Sequence, residues 1–231
     1  MAGQASTYPL QSGAPGLAAG ARLLRRFLQE ILEDLLETAS VAKKKESGTL
    51  KYLVAVPHGM DAADPGSLYV VEEYQNSDAF ALHCQQETVQ RVAKSLQTAE
   101  LGDGAMTLVL GADCELGFSR PEVSALSDPF VSILQLFFKS GAGPEGLEAL
   151  RKVVEAGKSD SGTLGFSVYP DPKDNDTVRF LGVYESQDHY FKVHIESPEV
   201  KRFQAATKDI TVETKAHFLK PVGGFLYKKQ S

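Results

Sequence analysis

Two histidines, His83 and His194, recur in matching surroundings. Laid His on His, Tyr74 to Val92 (YQNSDAFALHCQQETVQRV) and Tyr184 to Phe203 (YESQDHYFKVHIESPEVKRF) also bring Phe80 under Phe191, Val89 under Val200 and Arg91 under Arg202. An imidazole titrates near neutrality, so it can take or give a proton at physiological pH. The aromatic residue three positions earlier shares its helical face. Such a set suits proton transfer beside apolar walls. Tyr184, Tyr190 and Phe191 are the candidate walls around His194, with Phe203 carried inward by the next helix; Tyr74 and Phe80 play that part around His83. The alternative is structural: a histidine at a helix joint caps free carbonyls, and Tyr184, Phe191 and Phe80 are then core residues.

Other chemistries lack their residues. His189 and His194 are five apart, off the i,i+4 face that a helical metal pair needs. No P-loop, dinucleotide fingerprint or nucleophile elbow is present. Gly223-Gly224 reads as a bulge or strand end.

The elements that must position these residues repeat as well. Ser47-Gly48-Thr49-Leu50 precedes the first copy just as Ser161-Gly162-Thr163-Leu164 precedes the second. A helix is predicted from Ala21 to Lys44, with Leu24, Phe27, Leu28, Ile31 and Leu35 at helical spacing, and its partner runs from Glu145 to Ala156 with Gly157 as a candidate cap. Strands follow at Leu50 to Val56 and Leu164 to Tyr169, then turns at Pro57 to Gly66 and Pro170 to Asp176, then strands at Leu68 to Tyr74 and Val178 to Tyr184. Ser77-Asp78 and Asp188 are placed to cap the short helices carrying the histidines, and Ser197-Pro198 starts another. Closing strands are expected at Met106 to Leu110 with Cys114 to Phe118, and at Ile210 to Leu219 with Val222 to Leu226. The second copy opens on a β-rich run, Phe130 to Phe138. The first opens on a Gly, Ala, Ser and Pro-rich stretch that reads as a loose arm with at most a short strand near Tyr8. The expected domains are therefore an arm over 1–16, a first unit over 17–120, a linker over 121–128 and a second unit over 129–231.

Composition bounds the rest. A chain of 231 residues with 42% hydrophobic and 23% charged residues can bury two small cores. Its net charge of -6 argues against a nucleic-acid or anionic-membrane binder. Lys43 to Lys45 and Lys228-Lys229 read as solvated ends. The two cysteines, Cys84 and Cys114, imply no disulfide framework, no run reaches membrane-span length, and no signal peptide is recognisable, so a cytoplasmic location is expected.

The element order β-α-β-β-α-β, twice, defines an α+β fold of two tandem ferredoxin-like units. Helices cover one sheet face only, so the expectation is two units packing sheet to sheet as an intrachain dimeric α/β barrel. The runs SGTLGFSVYPDPKDND, FLGVYESQDHYFKVHIESPEV and KPVGGFL resemble the antibiotic biosynthesis monooxygenase (ABM) domain of the dimeric α/β-barrel superfamily over Phe130 to Tyr227. Ala21 to Phe118 resembles it too, through Glu46-Ser47-Gly48-Thr49-Leu50, Tyr74, Phe80 and His83, with a degenerate first strand.

The resemblance implies a pocket between the sheet and helices of each unit, and oxygenation of a phenolic, quinol or anthrone-like substrate without a cofactor. His194 matches the helix histidine of the family, while Tyr184 and Tyr74 stand where an aromatic, commonly Trp, is usual. The chain has no Trp, so the Asn-Trp-His set of the haem-degrading branch is missing. The expected roles are His194, Tyr184 and Tyr190 in catalysis, and Phe191, Phe203, His83, Tyr74 and Phe80 in substrate binding, with no cofactor and no metal. The expected partners are a small aromatic substrate and O2; neither nucleic acid nor membrane is expected, and a homodimer stays open. Two alternatives use the same pocket: proton transfer without oxygen (isomerisation, cyclisation or decarboxylation), and ligand binding or assembly without chemistry.

Overall fold

The computed structural model describes residues 5–11, 18–59, 67–98, 105–106, 109–110 and 116–229. They fall into two compact units, Gly3–Val109 with Pro221–Ser231, and Leu110–Lys220.

The first unit runs β1 (Ala5–Gln11), α1 (Ala18–Lys45), β2 (Thr49–Pro57), β3 (Tyr69–Tyr74), α2 (Ser77–Cys84), α3 (Glu87–Thr98) and the short β4 (Ala105–Met106), with β5 (Val109–Leu110) at its boundary. Its strand order is β4-β1-β3-β2, antiparallel throughout. Ile31, Leu35, Ala39 and Ala42 recur at helical spacing along α1 and are buried against Tyr52, Val54 and Val70 of the sheet. Lys43, Lys44 and Lys45 close the helix, where cations suit its dipole.

The stretch expected as a loose arm contains β1, paired with β3 so that Tyr8 lies opposite Val70. A strand without a long apolar run is specified by the ladder it completes, and composition does not report that. Most of the expected turn over 57–66, and Cys114, lie outside the described residues.

The second unit comprises β6 (Leu116–Ser119), a 3-10 turn at Pro121–Ala125, β7 (Phe130–Phe138), α4 (Gly143–Gly157), β8 (Thr163–Pro170), β9 (Thr177–Tyr184), α5 (Gln187–His189), α6 (Pro198–Thr207) and β10 (Thr211–Phe225). Thr211 to Leu219 pairs with β7, giving the order β10-β7-β9-β8-β6. A π-helical turn, Tyr190–His194, continues α5; Ile195 N donates to Tyr190 O at 3.0 Å. Such turns often mark functional sites. Ser197 caps α6 ahead of Pro198, as its sequence indicates. The caps of the short helices are one residue earlier than Ser77-Asp78, and two earlier than Asp188. Asn76 accepts from Ala79 N and Ser186 from His189 N, because a side chain reaches the third amide on from the residue outside the helix.

The tail also differs from expectation. Residues 221–231 belong to the first unit. Phe225 joins the core of Ile31, Leu35 and Tyr52, and Gly224, at φ 94°, lies so close that a Cβ there would sit 1.9 Å from Tyr52 O. Lys228, expected in solvent, donates to Ala42 O at 2.9 Å and to Glu46 O at 2.6 Å. Free carbonyls at a helix end recruit such a cation.

Gly141 has a similar φ of 80° with open space around its Cβ position. Gly224→Ala is expected to lower the thermal midpoint more than Gly141→Ala, which incurs backbone strain of about 1–3 kcal/mol without the clash; calorimetry of the two variants makes the comparison.

Candidate active site

In the first unit a cavity of about 290 Å³ opens between α1, the sheet, α2 and α3, walled mainly by Ile31, Leu35, Val70, Phe80, Val89, Val92 and Leu96. Its polar members are Tyr52, Glu72, His83, Cys84 and Gln97. Alternation along β3 turns Val70, Glu72 and Tyr74 to one face, so a carboxyl stands where the fold otherwise places apolar side chains.

His83 is 2% exposed. Its Nδ1 lies 2.8 Å from Oε2 of Glu46, the residue immediately after α1, and Thr49 Oγ1 donates to the same oxygen at 2.6 Å. Burial alone would raise the Glu46 pKa, but the hydrogen bonds from His83 and Thr49, with the charges of His83 and Lys228, hold it below the ordinary carboxylate value. A carboxylate has no proton to give, so Nδ1 is the donor, and in the neutral imidazole Nε2 carries the lone pair. Nε2 lies 4.0 Å from Glu72 Oε1. Tyr74 Oη donates to Glu72 Oε2 at 2.8 Å. Burial pushes the Glu72 pKa up, against the charge of His83 and the bond from Tyr74. Tyr52 and Tyr74 hold the imidazole between their rings, with centroids 5.5 and 5.2 Å from it. Phe80 meets Tyr74 edge-on at 5.2 Å.

The second unit distributes the same parts differently. Asp160, the counterpart of Glu46, accepts from Thr163 Oγ1 at 2.6 Å, but its imidazole partner is His189, with Nε2 at 2.7 Å from Oδ2. The His194 imidazole has no hydrogen-bond partner among the described residues. Burial, against the charge of Asp160, lowers its pKa to about 4, so it is neutral at physiological pH. It lines a second cavity of about 290 Å³ with Val153, Asp160, Ser197, Glu199 and Val200.

Tyr184 and Tyr190 do not line that cavity. They pack with Phe130 and Phe166 in the core, and Phe191 and Phe203 pack against it, partly buried. Tyr184 is fully buried, and desolvation pushes its phenol well above the ordinary value. The structure thus gathers His83 and Phe80 around one cavity with Tyr74 behind Glu72, and sets His194 at another with its ring 4.9 Å from Tyr184 and 5.9 Å from Tyr190 between centroids, both packed behind the imidazole and outside the cavity lining. Neither imidazole caps a carbonyl among the described residues.

Glu72, Glu46 and Lys228 were missed in the sequence. The available signal was the repeat itself: Glu46 and Asp160 occupy the same place before the Ser-Gly-Thr-Leu motif, and Glu72 stands two residues before Tyr74 where the other copy has Gly182. Among the described residues no group of three or more His, Cys, Asp or Glu side chains is placed to hold a metal ion, and no helix is long and apolar enough to cross a membrane.

Fold and site together define a tandem ferredoxin-like α+β protein with a cavity between sheet and helices in the first repeat and one between helices in the second. The ABM family profile, antibiotic biosynthesis monooxygenase, matches residues 27–95 and 129–206. The chain belongs to that family. The fold is similar over 99% of this chain to a protein from Fusobacterium nucleatum named as a monooxygenase, at 19% identity, TM-score 0.75 and 98% of that chain. A monooxygenase-named protein from Lactobacillus acidophilus covers 98% of this chain and all of its own, at 12% identity and TM-score 0.71. An anthrone oxidase-like protein covers 100% of this chain and 96% of its own, at 8% identity and TM-score 0.62. Nothing among curated proteins matches this chain.

The Glu46 pair has a pH signature. A carboxylate with a depressed folded pKa contributes stability above its unfolded value, near 4.5, and loses it as pH falls toward the folded value. Glu46→Gln is expected to melt lower than the wild type at pH 7, with the gap narrowing below pH 4.5, in thermal scans across pH.

Proposed function

We propose that this protein is a cofactor-independent monooxygenase-type enzyme acting on a phenolic, quinol or anthrone-like metabolite, with the first-repeat cavity as its substrate site. The observation that carries the reading is His83, whose Nδ1 is engaged by a buried carboxylate so that Nε2 is the nitrogen left to act as base in the lining of an apolar cavity. An acidic O–H or C–H placed there loses its proton to Nε2. The resulting anion is electron-rich enough to reduce O2, and the apolar walls exclude the water that would compete. The carboxylate behind the imidazole supports the charge that forms, in the manner of catalytic triads.

Family membership and the likeness to an anthrone oxidase-like fold support this class of reaction. The second repeat is less suited to be the base, because burial holds His194 neutral to about pH 4 and its acid partner is bonded to His189. Proton transfer without oxygen would use the same imidazole and would continue under argon.

Oxygen uptake by the purified protein with anthrone, without added cofactor, is expected above the uncatalysed rate. It should fall about 100-fold or more in His83→Ala, the scale of one acid–base group, while the thermal transition survives. A larger loss in His194→Ala than in His83→Ala would move the site to the second repeat.

A further inference from the structure

We propose that Glu72 is a second catalytic group of the first-repeat cavity, the acid that protonates a peroxide formed on a substrate carbon opposite His83. This rests on the monooxygenase reading of that cavity, and the step is written for the anthrone-like substrate of that reading, which presents an acidic CH2 beside a conjugated ring and carbonyl.

The fold does not require a carboxyl at this position, and the protein contains its own control. The corresponding residue in the other repeat is Gly182, where a Cβ would come within 2.5 Å of the Tyr184 hydroxyl. There the phenol fills the room that Glu72 takes here. Burying a carboxyl without a function is costly, yet Glu72 is buried and lines the cavity. Its setting accepts both protonation states, since a tyrosine hydroxyl such as Tyr74 can donate to a carboxylate or accept from a carboxylic acid. With Nε2 and Oε1 4.0 Å apart, one substrate atom can lie about 2.8 Å from both, within hydrogen-bond reach of each. Burial also favours the protonated form in the resting enzyme.

The steps close chemically. His83 Nε2 takes one proton from the CH2. The carbanion gives its electron pair to O2, forming a C–O bond and leaving a peroxide anion, which takes the proton of Glu72. The Glu72 carboxylate then removes the second C–H proton; those electrons form the C=O bond as the O–O bond breaks. The departing hydroxide takes the proton held by His83 and leaves as water. In sum, CH2 and O2 become C=O and H2O, and both side chains regain their starting states.

The titratable groups facing Glu72 are Tyr52 on β2, Tyr74 on β3, His83 and Cys84 on α2, and Glu46 after α1. Removing the Tyr74 hydroxyl takes away a bond that lowers the Glu72 pKa, so the alkaline limb of a Glu72-dependent step moves to higher pH.

The test separates the two half-reactions with anthrone as the probe. Mixed anaerobically, wild type and Glu72→Gln should both form the anthrone anion, read by its visible absorbance. On admission of O2 the wild type should yield anthraquinone, while Glu72→Gln should yield it about 100-fold more slowly and release hydrogen peroxide. Tyr74→Phe, which keeps the carboxyl, should turn over with its alkaline limb displaced upward, and carries the test if Glu72→Gln does not fold. Wild-type rates in Glu72→Gln, or an unmoved pH limb in Tyr74→Phe, would overturn the role of Glu72 and leave the monooxygenase reading standing. A wild type that forms neither anion nor quinone would remove both.

Discussion

In each repeat the structure depends on a carboxylate set in the turn between the long helix and the next strand. Glu46 and Asp160 each accept from a threonine three residues on, which fixes the turn, and from an imidazole offered by the helix packed above. A buried carboxylate must have such partners, because an unpaired charge there is costly. The imidazole that answers differs between the copies, His83 in the first and His189 in the second. That choice decides which ring faces a cavity with an acid behind it and which faces one without.

From this difference the two copies have become unlike in their interiors. The first keeps a carboxyl on β3 and leaves open space in front of it. The second has glycine there and closes the space with aromatic rings, Tyr184 lying 4.9 Å from Tyr190 and 5.9 Å from Phe166 between centroids. Its remaining cavity lies between α4 and α6, on the other side of His194. Edge-to-face rings with large buried areas favour rigid packing. One repeat is thus filled for firmness and the other is hollowed.

Much of the fold was legible in the residues. The strand Phe130 to Phe138 begins and ends where its β-rich run does, and the α1 face of Ile31 and Leu35 is buried as its spacing requires. The tandem α+β arrangement followed from the order of such elements. What was hidden depends on contacts distant in sequence. β1 is recognised only by its partner β3, and the tail only by the core of Ile31, Leu35 and Tyr52 that Phe225 completes. At the site, the repeat marked both His83 and His194 and the expectation put the base at His194, because shared ancestry cannot say which copy still faces an acid. Glu72 sits in YVVEEY, where two adjacent glutamates give no hint that one turns inward while Glu73 pairs with Lys51.

The long strand β10 has a consequence for how the chain is made. Its first nine residues, Thr211 to Leu219, pair within the second unit, while its last ones and the tail beyond belong to the first. Phe225 and Lys228 are therefore made after the whole of the second repeat, yet they cap the core and the helix end beside Glu46. The repeat translated first is the repeat finished last. Its hollow interior stays uncapped while the second repeat is being made, when exposed apolar surface is prone to misassembly.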